Sequence, residues 1–212
     1  RQHLERRDPN KAALERELGW EPAPDQLLAA MVTRMDAQKG VDLALDALPG
    51  LTDLPWRFIL LGTGDPDLER RAADFAGAHA DRVRFLPRFD PPLSRRIYGG
   101  ADLLLVPSRY EPCGLAQLIA MRYGCLPLVR AVGGLRDTVV PEDVGSAGTG
   151  FLFEAAEPGA LGLAVRRALA AFGDRIRWTQ MQRNAMAQDF SWEESAAAYQ
   201  CLYEELVARR SS

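Results

Sequence analysis

From Leu27 onward the sequence alternates short, almost wholly apolar runs with stretches whose apolar residues recur every three or four positions. The apolar runs are LLAAMVT (27–33), RFILL (57–61), RVRFL (82–86), DLLLVP (102–107), CLPLVR (125–130) and GFLFE (150–154). Helical patterns lie between them: DLALDAL (42–48), DLERRAADFAGAH (67–79), PLSRRIYGG (92–100) and GLAQLIAMRYG (114–124), with a run of helices from Pro158 to the end. Strands apolar on both faces and separated by helices predict a parallel sheet covered on both sides. Right-handed crossovers then give an α/β fold with a doubly wound, Rossmann-like sheet of six strands. Ahead of it, RQHLERRDPNKAALERELGW reads as an extended lead and a helix over 10–18 that stops at Gly19. The expected organisation is a linker and lead-in helix (1–20), one Rossmann-like domain (21–190) and a C-terminal helix (191–212). The stretch PEDVGSAGTG (141–150) has the composition of a loop.

Composition narrows the function. The 26 basic and 29 acidic side chains are interspersed and give a formal charge of -3, so no basic footprint for nucleic acid is present. The three cysteines (Cys113, Cys125, Cys201) and two histidines (His3, His79) lack metal-ligand spacing, so neither a zinc site nor a disulfide framework is expected. The longest apolar stretches reach about half of the ~20 residues a membrane helix needs, and no signal-peptide pattern opens the chain. A cytoplasmic location with no membrane partner is the expectation. Lys11 and Lys39 are the only lysines in an arginine-rich chain; a lysine kept against that bias hints at a need for a compact point charge.

In a doubly wound sheet, ligands bind beyond the carboxyl ends of the strands. After the first strand, TRMDAQKG places Arg34 and Lys39 in one turn, and a pyrophosphate suits both a forked donor and a point charge. After the second, LGTGDPDLE has Asp67 where a third glycine would complete a dinucleotide fingerprint, so a tight turn and a helix cap are expected there. After the fourth strand comes SRYEPCGLAQ, where Gly114 is expected to open a helix whose free N–H groups form an anion seat. Leu115, Leu118, Ile119 and Met121 are expected to form that helix's buried face. Glu111 beside such a seat has two readings, a contact to a neutral sugar or an N-cap carboxylate. Cys113 reads as a small apolar filler bringing its amide to the site, rather than a nucleophile. Gly133 and Gly134 either let backbone approach a ligand or form a plain loop. Phe89 either stacks on a base or plugs the core, and composition alone favours the core.

The segments TRMDAQKGVDLALDALPGL, LLGTGDP, SRRIYGGADLLLVPSRYEPCGLAQLIAMRYGCLPLVRAVGGLRDTV, GTGFLFE and DFSWEESAAAYQCLYEEL together resemble the C-terminal domain of bacterial glycogen synthases and plant starch synthases. The resemblance runs from about Asn10 to near the end. It implies one half of a GT-B architecture, in a retaining glucosyltransferase that moves glucose from ADP-glucose to the non-reducing end of an α-1,4-glucan without a metal or other cofactor. It implies that Arg34 and Lys39 hold the diphosphate and that Glu111 contacts the donor glucose. The amides from Cys113 through Gly114, Leu115 and Ala116 would bind phosphate, Gly133 and Gly134 would line the nucleotide-sugar site, and Phe89 would stack on adenine.

Some positions depart from related patterns. Ile119 stands eight residues after Glu111, where related GT-B enzymes often carry a second glutamate; bacterial glycogen synthases usually lack it too, and this disfavours double displacement. Ala116 and Phe89 stand where the family commonly has Thr and Tyr, which implies weaker donor affinity. The family's N-terminal domain, with its glycine-rich loop, a histidine near the sugar and most of the acceptor surface, is not within these residues. The expectation is a donor-binding half-enzyme, natural or excised, that binds ADP or ADP-glucose weakly and does not transfer glucose alone. Its rivals are a non-catalytic nucleotide-sugar sensor and a fragment that self-associates. Phe190, Trp192, Ser195, Tyr199, Leu202, Tyr203 and Leu206 recur at helical spacing, and this face is expected to be exposed in part and to turn toward the other domain.

Overall fold

A computed structural model of the 212-residue chain describes residues 3–210. Six parallel strands, β1 (Leu27–Val32), β2 (Trp56–Leu61), β3 (Val83–Leu86), β4 (Leu103–Val106), β5 (Leu126–Arg130) and β6 (Phe151–Phe153), lie in the order β3-β2-β1-β4-β5-β6. All six coincide with apolar runs. The direction of winding reverses between β1 and β4, which pair through Ala29–Leu103 and Ala30–Leu104. The loops leaving these neighbours diverge to opposite faces and open a crevice between them.

Alternation along each strand divides the core in two. Leu27, Ala29 and Met31 face one side, where they pack with residues of α2 (Val41–Ala47), α3 (Pro66–Ala78), α7 (Pro158–Gly173) and α8 (Arg175–Ala187). Leu28 and Ala30 face the other, against α1 (Arg7–Glu17), α4 (Pro91–Gly100) and Ala120 of α5 (Ala116–Tyr123). Asp65, Asp90 and Asp174 cap α3, α4 and α8 by accepting backbone N–H groups of the first turn, so each of these helices starts where its aspartate stands. The expected loop over 141–150 follows the short α6 (Gly133–Thr138).

The lead-in segment corrects one expectation. A 3-10 turn at Leu4–Arg6 leads into α1, which begins at Arg7 rather than Asn10, and this segment is packed into the domain instead of standing apart as a linker. Leu14 and Trp20 are buried in the second core layer. Lys11 donates to Asp102 at 2.7 Å and to the Gln26 carbonyl, while Asp102 also accepts from Leu28 N–H at 2.9 Å. Arg7 donates to the carbonyls of Tyr98, Ala101 and Tyr123. Glu15 pairs with Arg57 at 2.7 Å. A helix whose buried charges are all answered by the body it touches belongs to that body.

At the other end, α9 (Trp192–Arg210) exposes every described side chain from Trp192 to Arg209. Trp192 is 85% exposed and Tyr203 61%. The aromatic and aliphatic face read from the sequence therefore lies open.

Candidate functional site

The crevice holds two adjoining clefts that share Val32, Thr33 and Arg34. The deeper, of about 240 Å³, is lined by Arg34, Lys39, Ser108, Glu111 and residues 114–117. The wider, of about 410 Å³, is lined by Thr33, Arg34, Gly62, Thr63, Arg88, Phe89 and Ser94 among others. Thus loops 72 to 83 residues apart in sequence, those holding Arg34, Lys39 and Glu111 to Gln117, meet because β1 and β4 are neighbours in the sheet.

Each charged group has a defined partner. Lys39 Nζ donates to Glu111 Oε2 at 2.7 Å, and Ser108 Oγ donates to the same oxygen at 3.0 Å. Glu111 is buried, so two donors hold its charge where water scarcely reaches. Arg34, mostly exposed, donates through Nε to Asp36 at 2.6 Å. Asp36 also caps the turn at Ala37–Lys39 by accepting Lys39 N–H at 2.9 Å. Partial burial raises the Asp36 pKa, but the Arg34 and Lys39 hydrogen bonds outweigh it and hold the carboxyl below its ordinary value. Arg34 keeps its guanidinium nitrogens Nη1 and Nη2 clear of any partner among the described residues, at the seam of the two clefts.

The helix at the crevice begins later than the sequence suggests. Gly114 has φ +78 and α5 starts at Ala116, with Leu115 as its N-cap. Among the described residues no acceptor meets the N–H groups of Leu115, Ala116, Gln117 or Leu118, so this end carries a partial positive charge at the cleft. The delayed start also rotates the helix. Its buried face is Gln117, Ala120 and Met121, whereas Leu115 and Ile119 are exposed. Glu111 accepts no N–H group of α5, which has no side-chain cap, so the N-cap reading of that carboxylate is excluded. Gln117 is fully buried; its Nε2 donates to the Cys113 and Gly114 carbonyls at 3.0 Å each and fixes the turn.

Arg34, Lys39, Glu111, Gly114, Leu115 and Ala116 are therefore brought together, and Phe89 joins them in the adjoining cleft. Phe89 is 87% exposed, which corrects the core reading favoured by composition. Cys113 is exposed but lines neither cleft. Gly133 and Gly134 line neither cleft, for a steric reason. A Cβ on Gly133, whose φ is +44, would stand 2.2 Å from the Glu111 carbonyl oxygen, and one on Gly134 would stand 2.4 Å from that of Cys113. Their glycines admit the 111–113 backbone, so they shape the site from behind. Sequence reasoning missed Ser108, Gln117, Thr33, Thr63 and Arg88; the first two open and close the segment SRYEPCGLAQ, Ser108 two residues beyond β4 and Gln117 in the first turn of α5. Among the described residues no group of three or more His, Cys, Asp or Glu side chains is placed to hold a metal ion, and no helix is long and apolar enough to cross a membrane.

An open parallel sheet in this order, its winding reversing between β1 and β4, defines a doubly wound α/β domain. The family model described as "Glycosyl transferases group 1" matches residues 26–171, and the chain belongs to that family. It is 50% identical to a glycogen synthase of Anaeromyxobacter sp. (strain Fw109-5) over 93% of this chain and 42% of that protein. It is 41% identical to a glycogen synthase of Lactobacillus acidophilus over 97% of this chain and 43% of that protein. Among solved structures it resembles the catalytic domain of starch synthase IV from Arabidopsis thaliana bound to ADP and acarbose. That match has a TM-score of 0.86 at 36% identity and covers 95% of this chain and 43% of that one. The chain thus spans about two fifths of the length of the curated relatives it matches, and its fold is the Rossmann-like half of the GT-B architecture.

Proposed function

We propose that this chain is the donor-binding half of a glycogen synthase that transfers glucose from ADP-glucose, with retention, to the non-reducing end of an α-1,4-glucan. The observation that carries the reading is the meeting of Arg34, Lys39 and the free N–H groups of α5 in one cleft, beside a second cleft bearing an exposed aromatic ring. In this reading the adenine lies against Phe89, the diphosphate spans Arg34, Lys39 and the α5 amides, and the glucose meets Glu111. As the glycosidic bond breaks, negative charge grows on the departing ADP, and positive groups already fixed around it lower the barrier. Glu111, with no second carboxylate eight residues on, orients the sugar rather than forming a bond to it. Lys39 exchanges its contact with Glu111 for one with phosphate when the donor arrives. The relatives named glycogen synthase and the ADP-bound starch synthase support this choice of donor.

The reading is tested by titrating the chain with ADP in a calorimeter, then adding the complementary half of a relative and following glucose transfer from labelled ADP-glucose into glycogen. Saturable ADP binding together with transfer only in the mixture is the expected result. Absence of heat and of any thermal shift at millimolar ADP would overturn it.

A further inference from the structure

Arg109 lies next to the site but lines neither cleft, and its hydrogen bonds tie together the two loops that carry Lys39 and Glu111. Its Nη1 and Nη2 clasp the two oxygens of Asp42 at 2.7 and 2.6 Å. Nη1 also donates to the Ala37 carbonyl at 2.7 Å, and its backbone N–H donates to the Gln38 carbonyl at 2.7 Å. Gln38 Nε2 returns a bond to the Tyr110 carbonyl at 3.0 Å. From the far side Arg130 holds the same strand of backbone, donating to the carbonyls of Ser108 at 3.0 Å and Arg109 at 2.6 Å. Every one of these bonds joins the segment 36–42, which carries Lys39, to the segment 108–111, which carries Glu111, or braces the latter.

Resting on the nucleotide-sugar reading of the site, we infer that Arg109, through its two-pronged grip on Asp42, is a positioning residue that sets the spacing of Lys39 and Glu111. The physical need is clear. Lys39 ends a flexible four-carbon stem, and Glu111 sits on a loop with no regular secondary structure of its own. A planar fork that binds one carboxylate and one carbonyl at once fixes both distance and angle, which a single ammonium or amide cannot do. Burial at the pair is partial, so its contribution is to geometry more than to overall stability. The Asp42 carboxyl is held below its ordinary value, first by the Arg109 hydrogen bonds against the opposing effect of burial, so the clasp stays charged through the neutral range.

The chain carries its own gauge. Lys39 and Lys11 are the only lysines, and Lys11 is buried against Asp102 on the other face of the sheet. Acetylation by dilute acetic anhydride, mapped by mass spectrometry, reads the two ammonium groups separately. An amine engaged with a carboxylate is shielded, so Asp42→Asn and Arg109→Gln are expected to speed Lys39 acetylation by about two- to fivefold, the range for losing a partly exposed pair, while Lys11 stays unreactive. If both variants label Lys39 at the wild-type rate, the inference falls. It falls equally if Lys11 becomes reactive in step with Lys39, because the clasp then serves the whole domain rather than the site. A parallel arm with ADP separates this from the underlying reading: ADP is expected to slow Lys39 acetylation in the wild-type chain, and its failure to do so would count against nucleotide binding while leaving the labelling comparison intact.

Discussion

Replacing Glu111 by Gln should make this chain bind ADP more tightly, although it removes a residue assigned to the donor site. In the free protein Glu111 Oε2 holds Lys39 Nζ at 2.7 Å, with the two side chains only 10% and 23% exposed. A diphosphate must compete for that ammonium and must also approach a buried negative charge. Glutamine keeps the size of the side chain and can keep the bond from Ser108, but it frees the cation and removes the repulsion. Exposed pairs contribute roughly 0.2–1 kcal/mol, while breaking a buried pair costs about 3–5 kcal/mol. This pair, with Glu111 buried and Lys39 partly so, lies between the two cases, and release of even about 1 kcal/mol corresponds to roughly fivefold tighter ADP binding. Calorimetric titration of both proteins with ADP alone measures this directly. In the assembled enzyme the same variant should transfer glucose more slowly, because the sugar loses its orienting carboxylate. Equal or weaker ADP binding by a Glu111→Gln variant with an unchanged unfolding midpoint would refute the competition between carboxylate and phosphate.

Other outcomes follow from the same structure. Phe89→Ala should weaken ADP binding by about 1–3 kcal/mol, the value of one ring stacked on a base, and leave the melting temperature unchanged because the ring supports nothing in the core; calorimetry and a thermal scan check both halves. Lys11→Met strands Asp102 in the interior and should cost about 3–5 kcal/mol, seen as a fall in the chemical-denaturation midpoint with ADP affinity retained below the transition. Gly134→Ala drives a methyl group into the Cys113 carbonyl, so the 111–113 loop must shift; stability should fall by about 1–3 kcal/mol in chemical denaturation, and ADP-glucose should bind more weakly in a binding assay. The Asp42 pKa is depressed from its ordinary 3.8, so its stabilising effect is full above that value and fades as pH falls through the lower folded value. Denaturation between pH 5 and 3 should therefore show a shallower loss of stability in Asp42→Asn than in the wild type.

The sheet was legible because each strand is apolar on both faces, a pattern that a parallel sheet demands and amphipathic helices lack. The crevice loops were legible for a related reason: Arg34, Lys39 and Glu111 are charges placed directly after such strands. What escaped was the pairing among them. Lys39 and Glu111 lie 72 residues apart, and Arg109 and Asp42 lie 67 apart, so only the winding of the sheet makes them neighbours. The phase of α5 escaped because the positive φ of Gly114 delays the helix by two residues, which turns Leu115 and Ile119 outward. The exposure of Phe89 escaped because a lone aromatic in a loop carries no periodicity to tell its direction. Gly133 and Gly134, which the sequence leaves open between backbone approaching a ligand and a plain loop, instead admit the chain's own 111–113 segment.

The open course of α9 has an optical consequence. Trp20, Trp56 and Trp178 are buried, so Trp192 is the one indole of the four that a dissolved quencher can touch freely. Collisional quenching by iodide would isolate its emission from the rest, and any protein that came to rest on α9 would dim that quenching before a single turnover was measured.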